Sequence, residues 1–363
     1  MKPILVCIVR DEIKTLPRLL DSVRDLAGGA VICDTGSEDG TYEWLTRGGT
    51  TFPFSVHVTR HDWVNFAHNR NAAFATARNL HGDDAWLCLA DADWEWTGPQ
   101  LSEEWWEILR EGDNQGLVAK VTGHSERIIH TTFVRGPGWC WAGSVHESLL
   151  CLSDNPVGIV DMSDTWTWHH WADSGSRRYR DDVTMLRNEL TVQVGNPRAR
   201  FYLARTLFEQ EKYAEAYSEF VTRSRMEGTW ESERWYAQFQ AARCLQLMGE
   251  YRSAIAAYLE CIESDPLRPE PYYWLSSVFR HMGMHKRALR MCSEALAVAI
   301  HRDDQLFAEE WIFEYGIEFE RCVSLWHVTN PERCKDGLRT LKAYGGDKIP
   351  GFLAEAIERN LAL

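Results

Sequence analysis

Three segments in the second half of the chain repeat one another: Lys212-Tyr213-Ala214-Glu215-Ala216-Tyr217, Glu250-Tyr251-Arg252-Ser253-Ala254-Ile255 and Met284-His285-Lys286-Arg287-Ala288-Leu289. Their alanines, Ala216, Ala254 and Ala288, lie 38 and 34 residues apart, near the ~34-residue period of stacked helix–turn–helix units. A unit of that size cannot bury its apolar face alone, so it must stack on its neighbours. Small residues recur where the first helix of each hairpin approaches the next, in Tyr202-Leu203-Ala204, Ala241-Ala242-Arg243 and Trp274-Leu275-Ser276. Pro266 and Pro269 punctuate the second and third units. Two further helical stretches, 304–323 and 331–343, are expected to form a degenerate unit or the cap that an open stack requires.

The first half follows another rhythm. Short apolar and β-branched runs at Ile4–Val9, 30–33, 55–59 and 85–90 alternate with helical patterns at 16–26, 41–45 and 67–80. Such alternation predicts βα units and a mostly parallel sheet. The run at 85–90 is apolar throughout, as a central strand covered on both faces must be. Each run is followed by polar residues: Arg10-Asp11-Glu12, Asp34-Thr35-Gly36-Ser37, Arg60-His61-Asp62 and Asp91-Ala92-Asp93. Parallel strands deliver these to one edge, where ligands gather. The expected architecture is therefore an α/β, Rossmann-like domain over residues 1–172, followed by an all-α repeat domain over 173–363.

Composition narrows the functional classes. The 39 basic and 53 acidic residues leave a net charge of −14, which disfavours long-range capture by nucleic acid or anionic lipid. No apolar run approaches the roughly 18 residues of a membrane span, and Met1-Lys2-Pro3 leads straight into a short strand-like run, so no membrane association and a cytoplasmic location are expected. The ten cysteines are scattered without a C-x-x-C pair and read as buried, reduced thiols.

Chemistry concentrates at Trp86-Leu87-Cys88-Leu89-Ala90-Asp91-Ala92-Asp93, where an apolar strand ends in two carboxylates one residue apart. Carboxylates so placed can grip a hard divalent cation, Mn²⁺ or Mg²⁺, whose other ligands are phosphate oxygens. A simple turn with solvated aspartates is the competing reading. Asp34 and Asp39, in Asp34-Thr35-Gly36-Ser37-Glu38-Asp39-Gly40-Thr41, can accept hydrogen bonds from a nucleobase and ribose, although Asp39 also suits a helix cap. Arg70, near the start of the helix opened by Asn65-Phe66-Ala67-His68, can neutralise phosphate.

Together, the strand followed by Arg10-Asp11-Glu12, the D-T-G-S-x-D-G-T stretch at Asp34–Thr41, Phe66 with Arg70-Asn71-Ala72, and D-A-D at Asp91–Asp93 resemble family 2 glycosyltransferases of the GT-A fold. Downstream, Arg135-Gly136, Val145-His146-Glu147, His169, Arg187-Asn188, Gly195-Asn196-Pro197 and Tyr202-Leu203-Ala204 resemble the subgroup that runs into tetratricopeptide repeats, as in SunS-type peptide glycosyltransferases. One departure stands out: the family usually has Glu directly after D-A-D, where this chain has Trp94 and then Glu95.

The resemblance implies a metal-dependent, inverting transferase that moves a sugar from a nucleotide-diphosphate donor, UDP-sugar first, to an acceptor. It implies Val9, Arg10, Glu12, Asp34, Asp39, Arg70 and Asp91 at the nucleotide-sugar. It also implies Asp93 as direct metal ligand, Asp91 at metal or ribose, and His169 or its neighbour His170 as a third ligand. Within Trp166-Thr167-Trp168-His169-His170-Trp171 the alternative is an aromatic wall with satisfied histidines. Glu147 is the first candidate for the general base, with His146 and Glu95 competing. The repeats can hold a peptide or protein acceptor or mediate a homodimer; a glycan, a small molecule or a modified DNA base are the other acceptors. A decayed, purely binding scaffold would have lost Asp91 and Asp93. A nucleotidyltransferase would need a glycine-rich basic loop that residues 9–13 lack.

Overall fold

The computed structural model describes residues 2–47, 52, 54–111, 114–123, 128–153, 157–171, 179–298, 306–329 and 331–363. The chain divides into two units, Met1–Arg178 and Tyr179–Leu363; the boundary expected at 172/173 lies outside the described residues.

The first unit opens with β1 (Ile4–Val9), α1 (Leu16–Ser22), β2 (Gly29–Asp34), α2 (Thr41–Thr46), β3 (Ser55–Arg60), α3 (Phe66–His81) and β4 (Leu87–Leu89). It continues with β5 (Trp94–Trp96), α4 (Glu103–Glu111), β6 (Asn114–Thr122), β7 (Ile128–Val134), β8 (Trp139–Ala142), β9 (Ser148–Cys151), β10 (Gly158–Asp161) and β11 (Thr167–His170). The main sheet runs β3-β2-β1-β4-β7-β6-β11-β5, with β10 also on β6. The first four strands in this order are parallel, and Val9, Asp34 and Arg60 sit level with one another at their ends. β7 runs antiparallel between β4 and β6, whereas β10 and β11 return parallel to β6. A separate antiparallel ribbon pairs β8 with β9.

Alternation along β1 explains the burial on both sides of the sheet. Leu5, Cys7 and Val9 pack with Leu16, Leu19 and Trp106 on one face. Ile4 and Val6 pack with Val31, Cys33, Ala73 and Phe74 on the other. The uninterrupted apolar character of the central strands follows from this double cover.

Several expected boundaries shift. The helix predicted over 16–26 stops at Ser22, because the chain tightens into bonds from Arg24 N to Asp21 O and Leu26 N to Val23 O. The strand predicted over 85–90 is shorter, Leu87–Leu89. The aromatic run at 166–171 supplies a strand of the sheet, β11, with Trp166 and Trp168 buried in the core.

The second unit is helical: α5 (Tyr179–Val192), α6 (Pro197–Glu209), α7 (Tyr213–Ser224), α8 (Glu231–Leu247), α9 (Tyr251–Ser264), α10 (Glu270–His281), α11 (His285–Val298), α12 (Ile317–Trp326), α13 (Pro331–Gly345) and α14 (Gly351–Leu361). Asn196 caps α6 by accepting from the amides of Arg198 and Ala199, with Pro197 supplying the preset φ of the first helical position. Ala216, Ala254 and Ala288 are fully buried on the second helices α7, α9 and α11. Ala204, Ala242 and Ser276 are fully buried on the first helices α6, α8 and α10. The stretch expected as helical over 304–323 is not one helix, since a π-turn at Ile312–Gly316 precedes α12. Helices α12, α13 and α14 share a core of Phe319, Cys322, Leu338, Leu353 and Ile357.

Candidate active site

The D-A-D segment is the tight turn that links β4 to β5, closed by Trp94 N donating to Asp91 O at 3.0 Å. Ala92 is buried in the core beneath the turn, so its two acidic neighbours are directed outward. Asp91 and Asp93 then take different partners.

Asp91 Oδ1 lies 2.6 Å from Arg70 Nη2, and Arg70 Nε donates to Glu147 Oε1 at 2.6 Å. Arg70 reaches both carboxylates from the second turn of α3, with its guanidinium 4.9 Å over the Trp141 ring. Burial by itself lowers the tendency of Arg70 to hold its proton, but the charges of Asp91 and Glu147 outweigh it and the guanidinium is held above its ordinary range. The next residue, Asn71, clasps Trp141 through both main-chain groups, accepting from its N at 2.8 Å and donating to its O at 2.9 Å. The Arg70-Asn71 pair thus fixes β8, and through it the segment carrying Glu147, to the start of α3. His146 stands next to Glu147 in the left-handed region, φ 51°, and is exposed.

Asp93 meets a histidine. His170 Nε2 lies 3.0 Å from Asp93 Oδ2, and Trp171 N donates to Asp93 O. Of the two histidines, His170 and not His169 is the partner of the turn. Successive side chains on a strand point to opposite faces, and His169 Nδ1 faces Thr122 Oγ1 at 3.2 Å instead. Glu95, the competing base, accepts from Trp171 Nε1 at 2.7 Å. An oxygen from Asp93 beside an imidazole nitrogen from His170 is a donor pair that Mn²⁺, completed by phosphate oxygens, accepts, whereas Mg²⁺ prefers oxygen ligands throughout. Among the described residues no three His, Cys, Asp or Glu side chains assemble into a ready-made metal cage.

The D-T-G-S-x-D-G-T stretch mainly knits two loops together. Ser37 Oγ accepts from Asp11 N, Thr41 Oγ1 from Glu12 N, and Asp39 Oδ2 from Ile13 N. Asp39 Oδ1 accepts from both the amide and the hydroxyl of Thr41. Both Asp39 oxygens thus accept from protein donors. Gly36 and Gly40 carry the loop through φ 103° and 98°, conformations that a side chain disfavours. Glu12 accepts from Thr15 Oγ1, and the Val9 carbonyl accepts from the amide and hydroxyl of Thr35.

Asp34 differs. It is fully buried at the end of β2, and its Oδ1 accepts from Gly36 N and Ser37 N, with Arg60 Nε 3.5 Å away. Its Oδ2 is buried without a hydrogen-bond partner among the described residues, a costly state for a carboxylate until a donor arrives. Next to it opens a cleft of about 670 Å³ lined by Arg10, Thr35, Gly36 and the 60–63 segment. Sequence reasoning missed Asn69, fully buried, which accepts from Val64 N and donates to Asp62 O. It thereby shapes the rim of this cleft; only its position one turn after the Asn65 cap signals it.

A doubly covered, largely parallel sheet with a cleft at the strand ends and an acidic turn beside it defines the class of α/β domains in which ligands gather at the carboxyl ends of the strands. Residues 4–149 match the family described as glycosyl transferase family 2, and residues 236–266 match the tetratricopeptide repeat. The chain carries a family 2 glycosyltransferase domain followed by a tetratricopeptide-repeat region. A TPR repeat-containing protein of Synechococcus elongatus is 36% identical over 116 residues, which is 32% of this chain and 25% of that protein, so the chain spans about a quarter of that relative's length. Two solved structures are similar to it at low identity. The thermophilic TPR protein TTC0263 of Thermus thermophilus has 14% identity and TM-score 0.38, covering 51% of this chain and 92% of its own. MamA of Desulfovibrio magneticus has 14% identity and TM-score 0.37, covering 48% and 90%. Among the described residues no helix is long and apolar enough to cross a membrane.

Proposed function

We propose that this chain is an inverting glycosyltransferase that moves a sugar from a nucleotide-diphosphate donor, UDP-sugar first, to an acceptor hydroxyl, amide or thiol on a peptide or protein. The reading rests chiefly on one relationship: Arg70 bridges Asp91, in the acidic turn, and Glu147, the candidate base, at 2.6 Å each.

The nucleotide lies in the cleft at Arg10, Thr35 and Gly36, next in the chain to Asp34. The buried Asp34 Oδ2 lacks a hydrogen-bond partner among the described residues and would accept from an N–H donor such as a uracil imide that reached it. Asp93 and His170 would hold Mn²⁺ or Mg²⁺, which would supply positive charge to offset that on the departing diphosphate. Arg70 keeps Asp91 and Glu147 a fixed distance apart. Glu147 takes the acceptor's proton as the acceptor atom attacks the anomeric carbon, while the bond from that carbon to the diphosphate oxygen breaks on the opposite side. The peptide acceptor is favoured by the repeat region, because stacked hairpins offer extended surfaces for chain segments.

The test is release of nucleoside diphosphate from UDP-sugars with Mn²⁺ or Mg²⁺, alongside thermal stabilisation by UDP. Binding to a saturating nucleotide at 100 times its Kd raises stability by about 2.7 kcal/mol. Absence of both turnover and stabilisation across nucleotide sugars overturns the reading in favour of a binding scaffold.

A further inference from the structure

The first helices of the three hairpins share a single occupant, residues 306–309 of the same unit. The Phe307 ring stacks on Phe201 of α6 at 6.3 Å and 7°, and meets Tyr236 of α8 at 5.0 Å. The Arg205 guanidinium of α6 lies 4.2 Å over it. Two residues on, Glu309 Oε2 accepts from Trp274 Nε1 of α10 at 3.0 Å and pairs with Arg243 of α8 at 3.7 Å. The Leu306 carbonyl accepts from Arg268, which Glu270 anchors at the start of α10.

These contacts have the composition of a recognition surface. Aromatic rings and arginines dominate binding hot spots, and here Arg243 is stacked 3.4 Å from Trp274 and Arg268 3.9 Å from Trp235. The occupant, by contrast, belongs to neither apolar cluster of the hairpins. Its four residues remain partly exposed. Phe307 adopts φ 50°, a left-handed conformation that a bulky residue holds only when its surroundings impose it.

We propose that α6, α8 and α10 form a peptide-recognition groove, that residues 306–309 fill it in cis, and that its partner is a peptide carrying an aromatic residue two positions before a carboxylate. The partner binds by displacing the chain's own segment, so the groove is self-inhibited. Arg205 with Phe201 and Tyr236 reads the aromatic ring, and Arg243 with Trp274 reads the carboxylate. This stands independently of the catalytic reading of the first unit.

The test uses the full chain and a fluorescein-labelled peptide of residues 306–310, with peptides changed at the positions of Phe307 and Glu309 as controls. The labelled peptide is expected to bind Phe307→Ala/Glu309→Gln at least about tenfold tighter than the unaltered chain, because the competing occupant is weakened. Adding Arg243→Gln to that variant should lose most of the gain, and either control peptide should bind more weakly. Equal affinity for both chains overturns the proposal, as does absence of saturable binding up to about 1 mM to a variant with intact helical circular dichroism. Loss of helicity in both Phe307→Ala and Glu309→Gln as single variants also overturns it, since the segment would then be a strut of the fold and not a displaceable occupant.

Discussion

His170 Nε2 lies 3.0 Å from Asp93 Oδ2, while the adjacent His169 turns to Thr122. The antiparallel pairing of β11 with β5 sets this choice, placing His170 beside Trp94 and His169 beside Glu95. The residue that approaches the acidic turn is decided by strand alternation and not by nearness in sequence.

Asp93→Asn and His170→Ala are each expected to lower metal-dependent nucleotide release by about a hundredfold or more, since charge neutralisation by a bound cation is worth several kcal/mol. His169→Ala should stay within a few-fold of the unaltered chain. Unchanged melting temperatures would separate lost chemistry from lost folding, and equal rates for all three variants would remove the metal assignment.

Arg70→Lys should uncouple Glu147 from Asp91, because Arg70 reaches the two carboxylates with two separate nitrogens, Nε and Nη2, held in one plane, whereas lysine has a single nitrogen on a flexible stem. Glu147→Gln is expected to reduce kcat by about 10²–10⁴ with the affinity for UDP unchanged, as removal of a general base does. A Glu147→Gln enzyme with normal kcat would move the base elsewhere, with His146 next.

Asp39 is raised by burial, but bonds from Thr41 and Ile13 outweigh this and hold it below the ordinary carboxylate range. A carboxyl lowered in the folded state contributes stability above its unfolded value, and that contribution fades as pH falls through the lowered folded value. Asp39→Asn should therefore be less stable than the unaltered chain near pH 7, with the gap closing as the pH drops below about 4. Urea midpoints measured across that range check the sign.

All ten cysteines are free, and eight are buried. Burial pushes the thiols of Cys244, Cys292 and Cys322 up to about 12 and raises Cys7 and Cys88 strongly. Since the thiolate is the reactive form, a thiol reagent at pH 7–8 should modify only the half-buried Cys140 and Cys151 quickly. The remaining eight should react on unfolding.

Arg223 and Glu233 form a buried pair between α7 and α8, with Nε and Oε1 2.9 Å apart. Arg223→Ala leaves a buried charge without its partner and is expected to cost about 3–5 kcal/mol. The double change Arg223→Met/Glu233→Leu should recover much of it, as denaturant melts can measure.

The sequence alone determined the two regimes of the chain, since short, continuously apolar runs alternating with helical patterns mark a sheet covered on both faces and an alanine recurring every 34–38 residues marks stacked helical hairpins. It also placed the acidic turn after β4, because carboxylates cannot continue an apolar central strand. The tertiary structure decided which side chains meet. Arg70 and Glu147 are 77 residues apart in the chain, yet they bond. Asp39 spends its oxygens on a neighbouring loop while Asp34 keeps one unsatisfied, and residues 306–309 return onto the helices before them. Periodicity is a local property written along the chain; the partner of a polar atom depends on which elements pack beside it, and that is fixed only when the cores close.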